Sequence, residues 1–312
     1  MIGAFGMEYD KKQELRVHMV LLAVAFSWGF NNIAMKLGFR YVSPQQFNSI
    51  RLLLTAPFML YFAFFLPNRV KFTRRDFYSI VGLGALGLGM FQILFPIGLN
   101  ETSAPIGAVL MATLPVHVVI LVLVFRLEKP SVTAFVGIAL TMIGLAVIGS
   151  FSQHNGTGTV TTVRGIVFMV TSEFGYAIYT TFLKPYMKKY SALQVTGLVI
   201  FVSTLMYLGI YWQNLIQLDI RSVHPIAWMN IFYSGFIGLL ISNVAWNKSI
   251  VKIGSTRVSV YGNLPTAFAL LLGAIFLKEL LTFIQVIGAL ILLSGVILVQ
   301  LRHRREPSLI KS

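Results

Sequence analysis

Residues 103–129 read SAPIGAVLMATLPVHVVILVLVFRLEK, and residues 253–279 read IGSTRVSVYGNLPTAFALLLGAIFLKE. Each stretch is a long apolar run that contains a proline, Pro115 in the first and Pro265 in the second, and each run closes with an acidic residue. A proline inside a helix leaves a backbone carbonyl without its usual donor. The same pattern in both halves of the chain predicts an internal duplication with an interrupted helix in each copy.

The segments that follow these two stretches extend the match. VGIALTMIGLAVI follows the first and IGALILLSGVILV follows the second, so that Gly137 and Gly144 correspond to Gly288 and Gly295. A further glycine run, GLGALGLG at 82–89, follows no strand and resembles no phosphate loop. Small residues at this spacing are typical of closely packed membrane helices.

The composition places the chain in a membrane. It is 56% hydrophobic and 11% charged, with a mean hydropathy of +0.78, whereas soluble domains carry about 25% charged residues. A membrane-crossing helix needs about 20 apolar residues. Ten windows fit this length, and they are numbered here as predicted spans one to ten: 17–37, 46–66, 77–99, 104–125, 132–149, 165–186, 192–215, 226–247, 256–277 and 282–301.

The basic residues give an orientation. With the N-terminus in the cytoplasm, nineteen of the 25 lysines and arginines fall in cytoplasmic segments and four fall outside. This asymmetry follows the positive-inside rule and predicts that both termini are cytoplasmic. The net charge of +15 is therefore read as a topology signal, and nucleic acid is not an expected partner. The first 16 residues do not resemble a cleavable signal peptide.

An odd number of spans in each copy gives the two copies opposite orientations, so the predicted fold is all-α, with ten transmembrane helices in two inverted five-helix repeats. Such repeats are a recurrent transporter architecture with a substrate site near the bilayer midplane. The expected segments are a cytoplasmic tail 1–16, a first repeat 17–149, an external connection 150–163, a second repeat 164–301 and a cytoplasmic tail 302–312.

Two further motifs carry a family resemblance. SWGFNNIAMK at 27–36 contains Trp28 and Lys36, and SPQQFNSIRLLL at 43–54 contains Arg51. With the duplicated five-helix unit, this pattern resembles the drug/metabolite transporter superfamily, EamA branch, over residues 17–301. The resemblance implies a secondary carrier of amino acids, other metabolites or drugs, often moving them outward. FRLEK departs from the commoner LGE loop of the family.

Glu173 lies in the apolar run VTSEFGYAIY at 170–179. Ionisable groups inside a bilayer usually face a cavity or a partner. One interpretation is a carboxylate that binds substrate or carries a coupling proton; the other is a structural ion pair with Arg51 or Lys36. The face shared with Tyr176 is too polar to meet lipid, which favours a role in function.

Arg51 has the same two interpretations. A structural arginine near the outer boundary could extend to the lipid headgroups or brace Glu173, and this interpretation is favoured. The functional alternative is a clamp for a carboxylate on the substrate.

The other candidates are polar or aromatic residues on faces that would turn inward. Trp28, Asn31 and Asn32 share one helical face of span one, and Asn263 lies beside Pro265 in span nine. His117, near Pro115, could titrate near neutral pH, although a packed role is commoner. The remaining candidates for contact with the substrate are Gln92, Asn243, Trp246 and Tyr261.

The expected function is secondary transport by alternating access, in the cytoplasmic (inner) cell membrane, of small polar metabolites with amino acids leading, as an exporter. A carrier of cationic drugs or choline-like solutes is the alternative, and an integral-membrane lipid-modifying enzyme is the minor one. No cofactor or metal is expected, because the chain has no cysteine and its histidines lack metal-ligand spacing. The expected partners are a small solute and membrane lipids, with proton coupling as an option, and the chain is expected to be a monomer.

Overall fold

The structure, a computed structural model, describes residues 2–67, 69–125, 132–150, 161–253, 260–278 and 281–303. Every regular element in these ranges is helical. The α-helices, numbered α1 to α14 in chain order, are Ile2–Gly38, Pro44–Phe64, Arg74–Leu83, Met90–Asn100, Ala104–Met111, Leu114–Val124, Val132–Ser150, Val163–Phe182, Lys184–Lys189, Ala192–Ile216, Pro225–Phe232, Ser242–Ile253, Leu264–Leu272 and Phe283–His303.

Six helical stretches in the described part of the chain are long and apolar enough to cross a membrane: Leu15–Gly38, Pro44–Phe64, Arg74–Asn100, Ala104–Val124, Ala192–Ile216 and Pro225–Ser249. Three shorter apolar helices, Phe135–Ile148, Leu264–Leu277 and Phe283–Leu298, fall on predicted spans five, nine and ten. The chain is thus a multi-pass helical membrane protein, and the count of ten spans stays a prediction.

Side-chain caps explain where several of these helices begin. Ser43 accepts from the amide of Gln46, whose side chain accepts in return from the amide of Ser43. This capping box satisfies two amides that the first turn leaves without helical partners. Thr73, Ser103, Thr162 and Ser191 cap their helices more simply, each with a side-chain oxygen that accepts from one backbone amide.

The helix breaks expected at the two prolines are present in the structure. Helix α5 ends at Met111 and α6 begins at Leu114, so that Pro115 lies in the first turn of α6. In the second half, a 3₁₀ turn over Val260–Asn263 precedes α13, whose first turn holds Pro265. A proline is well tolerated in a first turn because its missing N–H has no helical partner there.

Two longer irregularities were not predicted. A π-helical segment at Gly84–Gly89 joins α3 to α4 within predicted span three, and another at Tyr233–Ile241 joins α11 to α12 within span eight. A third π segment, Gly273–Leu277, follows α13. Single π turns inside α-helices frequently occur at functional sites, and spans three and eight are equivalent positions in the proposed duplication.

Glycines allow α7 and α14 to pack closely against each other. A Cβ on Gly144 would lie 2.6 Å from the backbone nitrogen of Leu292, and one on Gly295 would lie 2.5 Å from the carbonyl oxygen of Gly137. Only glycine permits backbones to approach this closely. The glycines matched between the two halves therefore pack together in crossed pairs, Gly144 against Gly288 and Gly137 against Gly295.

The expected role of the GLGALGLG run in close packing is confirmed at three of its four glycines. Added Cβ atoms at Gly84, Gly87 and Gly89 would meet Val199, Tyr179 and Met206 within 3.3 Å. The fourth, Gly82, faces open space, with no atom within 4 Å of an added Cβ. The run thus packs its helix against α8 and α10 and leaves one glycine beside a groove.

Candidate functional site

A polar cluster lies where α1, α2, α4 and the second π segment meet, and Arg51 is its centre. The Arg51 side chain is 3% exposed. One terminal nitrogen donates to Oε1 of Gln92 at 2.7 Å, and the other donates to Oγ of Ser234 at 3.0 Å and to the sulfur of Met35 at 3.4 Å. These residues, with Asn31 and Asn48, are called the Arg51 cluster below.

The Arg51 guanidinium is buried without a counter-ion among the described residues. Ion pairs that join described residues are Arg164–Glu101 and Lys189–Asp76, neither of which involves it. All three of its acceptors are neutral, and Nε is buried with no hydrogen-bond partner. A buried cation without a compensating anion is costly, so this position is suited to receive an anionic group.

Carboxamide oxygens in and beside the cluster also lack partners. Asn31 donates its amide to the sulfur of Met35 at 3.5 Å, and Asn48 donates to the backbone oxygen of Gln92 at 3.0 Å. Asn32, on the same helix as Asn31, donates to the sulfur of Met111 at 3.1 Å. The Oδ1 atom of each of these three asparagines is buried and accepts no hydrogen bond from a described residue. The region therefore holds both an unused donor and unused acceptors.

Glu173 is 3% exposed on α8, and its Oε1 is buried without a donor among the described residues. The ion pair of Glu173 with Arg51 or Lys36, one of the two interpretations of the sequence, is not formed among the described residues: Arg51 is bonded within its own cluster, and Lys36 donates to the backbone oxygen of Thr102. Arg51 instead donates to Gln92, a neutral acceptor on α4. The guanidinium of Arg51 and the carboxylate of Glu173 are therefore both available to a ligand.

The packing of α8 on the third predicted span fixes the depth of Glu173. A Cβ on Gly98 would lie 2.9 Å from the nitrogen of Met169, and one on Gly87 would lie 3.0 Å from the nitrogen of Tyr179. The helices are therefore antiparallel, and Glu173, between Met169 and Tyr179, is level with Gln92, between Gly87 and Gly98. The glutamate thus lies at the depth of the Arg51 cluster.

His117 is a packed residue near this level. Its Nδ1 lies 3.5 Å from Oγ1 of Thr113, and its ring meets that of Phe174 edge-to-face with centroids 6.0 Å apart. Phe174 follows Glu173 in α8, so His117 adjoins the glutamate's helix. Tyr176, one turn further along α8, packs its ring 5.2 Å from that of Phe91.

The other aromatic candidates form a separate group toward the basic end of the bundle, the end that the charge pattern predicts to be cytoplasmic. The indole nitrogen of Trp28 donates to the backbone oxygen of Gly238 at 3.0 Å, and its ring lies 5.0 Å from that of Trp246. Trp246 and Tyr261 pack against Val17 and Leu21. The Tyr261 hydroxyl lies 2.7 Å from Nδ1 of His18. These contacts join α1 to the second π segment, to α12 and to the 3₁₀ turn that precedes α13.

Asn243 is not brought into either group. Asn243 donates to the backbone oxygen of Leu239 at 2.7 Å, within its own helical segment. The side chains of Asn263 and Pro115 lie outside those that the structure describes. In the described part of the chain, no three His, Cys, Asp or Glu residues are grouped as metal ligands.

Sequence reasoning missed Asn48 and Ser234 as members of the cluster. Asn48 precedes Arg51 by three residues and shares its helical face, a signal that was available. Ser234 carries no such signal, because it reaches Arg51 only through the packing of α2 against the second π segment.

The sequence model of the EamA-like transporter family matches residues 15–150 and 163–301. An "Uncharacterized transporter" of Archaeoglobus fulgidus is 27% identical over 283 residues, covering 90% of this chain and 97% of the relative. A "Probable terminal-alkyne amino-acid exporter" of Streptantibioticus cattleyicolor is 26% identical over 239 residues, covering 75% and 77%. One crystal structure aligns with a TM-score of 0.58 at 14% identity, over 93% of this chain and 98% of the other, and so shares the fold.

Proposed function

Because the chain belongs to the EamA-like transporter family, we propose that it is a secondary transporter that exports small zwitterionic metabolites, amino acids foremost, across the cytoplasmic membrane by alternating access. Membership makes it a membrane transporter. The solute, the direction and the mechanism are our proposal, and they rest on the arrangement of unpartnered groups around Arg51.

The observation that carries the proposal is the coexistence of an unpartnered donor and unpartnered acceptors at one buried place. Among the described residues, Arg51 Nε has no acceptor, and the Oδ1 atoms of Asn31, Asn32 and Asn48 have no donor. An α-amino acid offers both complements, since its carboxylate accepts from a guanidinium and its ammonium donates to carboxamide oxygens. Binding would supply hydrogen bonds that the protein leaves unmade.

Glu173 adds the second charge of the site. An ionised carboxylate buried without a partner is costly, so two roles relieve it: contact with the ammonium of the solute, or uptake of a proton. Its placement level with Gln92 supports either role. If the protein changes conformation only when this carboxylate is neutral, uptake of a proton by Glu173 would couple transport to the proton gradient.

The packing supports two inverted halves that move against each other. Helix α8 packs on α4 and α6, and α1 packs on α12 and α13. Helix α8 is predicted span six and packs on spans three and four, whereas α1 is span one and packs on spans eight and nine. The two sets of contacts are therefore equivalent when each span of the first half is matched with the span five places later. The Arg51 cluster joins α1, α2 and α4 of the first half to Ser234 of the second, which is where a solute would link the halves.

A relative named an amino-acid exporter supports the solute class and the direction. The alternative, a cationic drug or choline-like solute, draws support from the aromatic group of Trp28, Trp246 and Tyr261, because aromatic faces bind ammonium cations. Arg51 weighs against it, since a buried cation repels a solute that carries only positive charge. A zwitterion brings a carboxylate for the guanidinium, which a purely cationic solute lacks.

Flux into proteoliposomes tests this assignment. The purified protein would be reconstituted and offered labelled amino acids, their decarboxylated amines and choline, with and without an imposed pH gradient. We expect saturable flux of at least one zwitterion, and no flux of the amine that differs from it by the carboxylate alone. Transport of amines or choline in preference to zwitterions would contradict the proposal. Arg40→Gln, which changes an exposed arginine, serves as the control for charge loss.

A further inference from the structure

Two adjoining cavities at the basic end of the bundle have no part in the proposed transport site. The first has a volume of about 290 Å³ and is lined by the cations Arg69, Lys71 and Arg74 together with the rings of Phe72, Phe77 and Tyr78. It lies where the chain leaves α2 and enters α3. We call it the headgroup cavity.

The cations of the headgroup cavity have no acidic partner in the part of the chain that the structure describes. Arg69, Lys71 and Arg74 are exposed, and none forms an ion pair with a residue that the structure describes. The nearest acid in the sequence is Asp76, and it is already engaged: it accepts from Lys189 Nζ at 2.5 Å and from the Tyr190 hydroxyl at 2.6 Å. The cavity therefore keeps three positive charges.

The second cavity, called the acyl groove, is mostly apolar and shares Tyr78 with the first. It has a volume of about 550 Å³ and lies between α3 and the junction of α8 with α9, and its other lining residues are Ser79, Gly82, Leu83, Phe182, Pro185 and Tyr186. Gly82 opens it, because no atom lies within 4 Å of an added Cβ there. A cationic cavity thus adjoins a mostly apolar groove at Tyr78.

We propose that these two cavities bind one anionic phospholipid, with the phosphate at Arg69, Lys71 and Arg74 and an acyl chain along the acyl groove. Basic pockets at the cytoplasmic ends of membrane helices are suited to lipid phosphates. The positive-inside rule explains basic residues at this end, but it requires neither their convergence on one cavity nor a groove beside it. The inference is independent of what the protein transports.

Lipid binding to the detergent-purified full-length protein, followed by native mass spectrometry, tests the proposal. We expect dioleoyl-phosphatidylglycerol to be retained in preference to dioleoyl-phosphatidylcholine. Because each basic residue near a membrane contributes about 1 kcal/mol to anionic lipid binding, Arg69→Gln, Lys71→Gln and Arg74→Gln should each weaken phosphatidylglycerol binding about five-fold. Lys248→Gln, an exposed lysine predicted at the same end, should leave it unchanged.

Two further experiments test whether the ligand is a lipid or a free anion, and whether binding needs the groove or only the positive charge at this end of the bundle. Gly82→Phe should fill the acyl groove and weaken phosphatidylglycerol binding with no change of charge, and inorganic phosphate should not displace the lipid. The proposal is overturned if the two lipids bind equally, if Lys248→Gln weakens binding as much as the cavity variants, if Gly82→Phe has no effect, or if inorganic phosphate competes as well as the lipid.

Discussion

Arg51 and Gln92 form a 2.7 Å hydrogen bond between the second and third predicted spans, and this bond holds a buried cation with a neutral acceptor. A carboxylate at position 92 would have neutralised the charge permanently. The carboxamide instead keeps the guanidinium in place and leaves it able to attract an anion. The other groups of the site are arranged around this pair.

Substituting Gln92 by glutamate tests that relationship. The Gln92→Glu variant should form an internal ion pair with Arg51. This pair should raise the thermal stability, because a buried charge without a counter-ion is destabilising. Solute flux should fall at least ten-fold, since the substrate carboxylate must now compete with a fixed one. Gln92→Met replaces the carboxamide oxygen by a thioether, which is a weaker hydrogen-bond acceptor for Arg51, and it should lower both thermal stability and solute flux. Equal flux in the wild type and Gln92→Glu would exclude Arg51 as the anion site.

Glu173→Gln removes the second charge of the site. Because no described residue donates to Oε1 of the wild-type carboxylate, the variant should be at least as thermally stable as the wild type. We expect it to lose flux driven by a pH gradient, measured in proteoliposomes beside the wild type. Gradient-driven flux that persists unchanged in the folded variant would assign Glu173 a structural role and move the search for a coupling group to His117.

The seam between α7 and α14 should be intolerant of side-chain volume. A methyl group at position 144 would lie 2.6 Å from a backbone nitrogen, and forced overpacking costs about 1–3 kcal/mol. Gly144→Ala should therefore lower the melting temperature measured by fluorescence-detected size exclusion. Gly209→Ala, where an added Cβ meets nothing within 4 Å, is the matched control. A seam variant as stable as this control would contradict the close packing described here.

The bond between Tyr261 and His18 should hold the basic end closed. Tyr261→Phe keeps the ring and removes the hydroxyl that lies 2.7 Å from the imidazole. Because the chain has no cysteine, a single Ser27→Cys can report access to the interior near Trp28. We expect an impermeant thiol reagent applied from the cytoplasmic side to react faster in the Tyr261→Phe background. Equal rates in both backgrounds would mean that this contact is not part of a gate.

Much of the fold was predictable because apolar length, glycine spacing and paired prolines are one-dimensional signals. The breaks before Pro115 and Pro265 and the close contacts of the GLGALGLG run follow directly from residue type. The π segments were not predictable, since Tyr233–Ile241 differs from an ordinary apolar helix only in its hydrogen-bond register. The sequence likewise identified Arg51, Gln92 and Glu173 as candidates but not their partners. Which buried groups meet depends on how helices distant in the chain pack, as Ser234 and Arg51 illustrate.

The central claim is that Arg51 receives the carboxylate of a transported zwitterion. Its most direct test is calorimetric binding of a transported amino acid and of the corresponding amine, to the wild type and to Arg51→Gln, with Arg40→Gln as control. The account predicts that the wild type and the control bind the amino acid at least ten-fold more tightly than the amine, and that folded Arg51→Gln loses this preference. An undiminished preference for the amino acid in Arg51→Gln would contradict it.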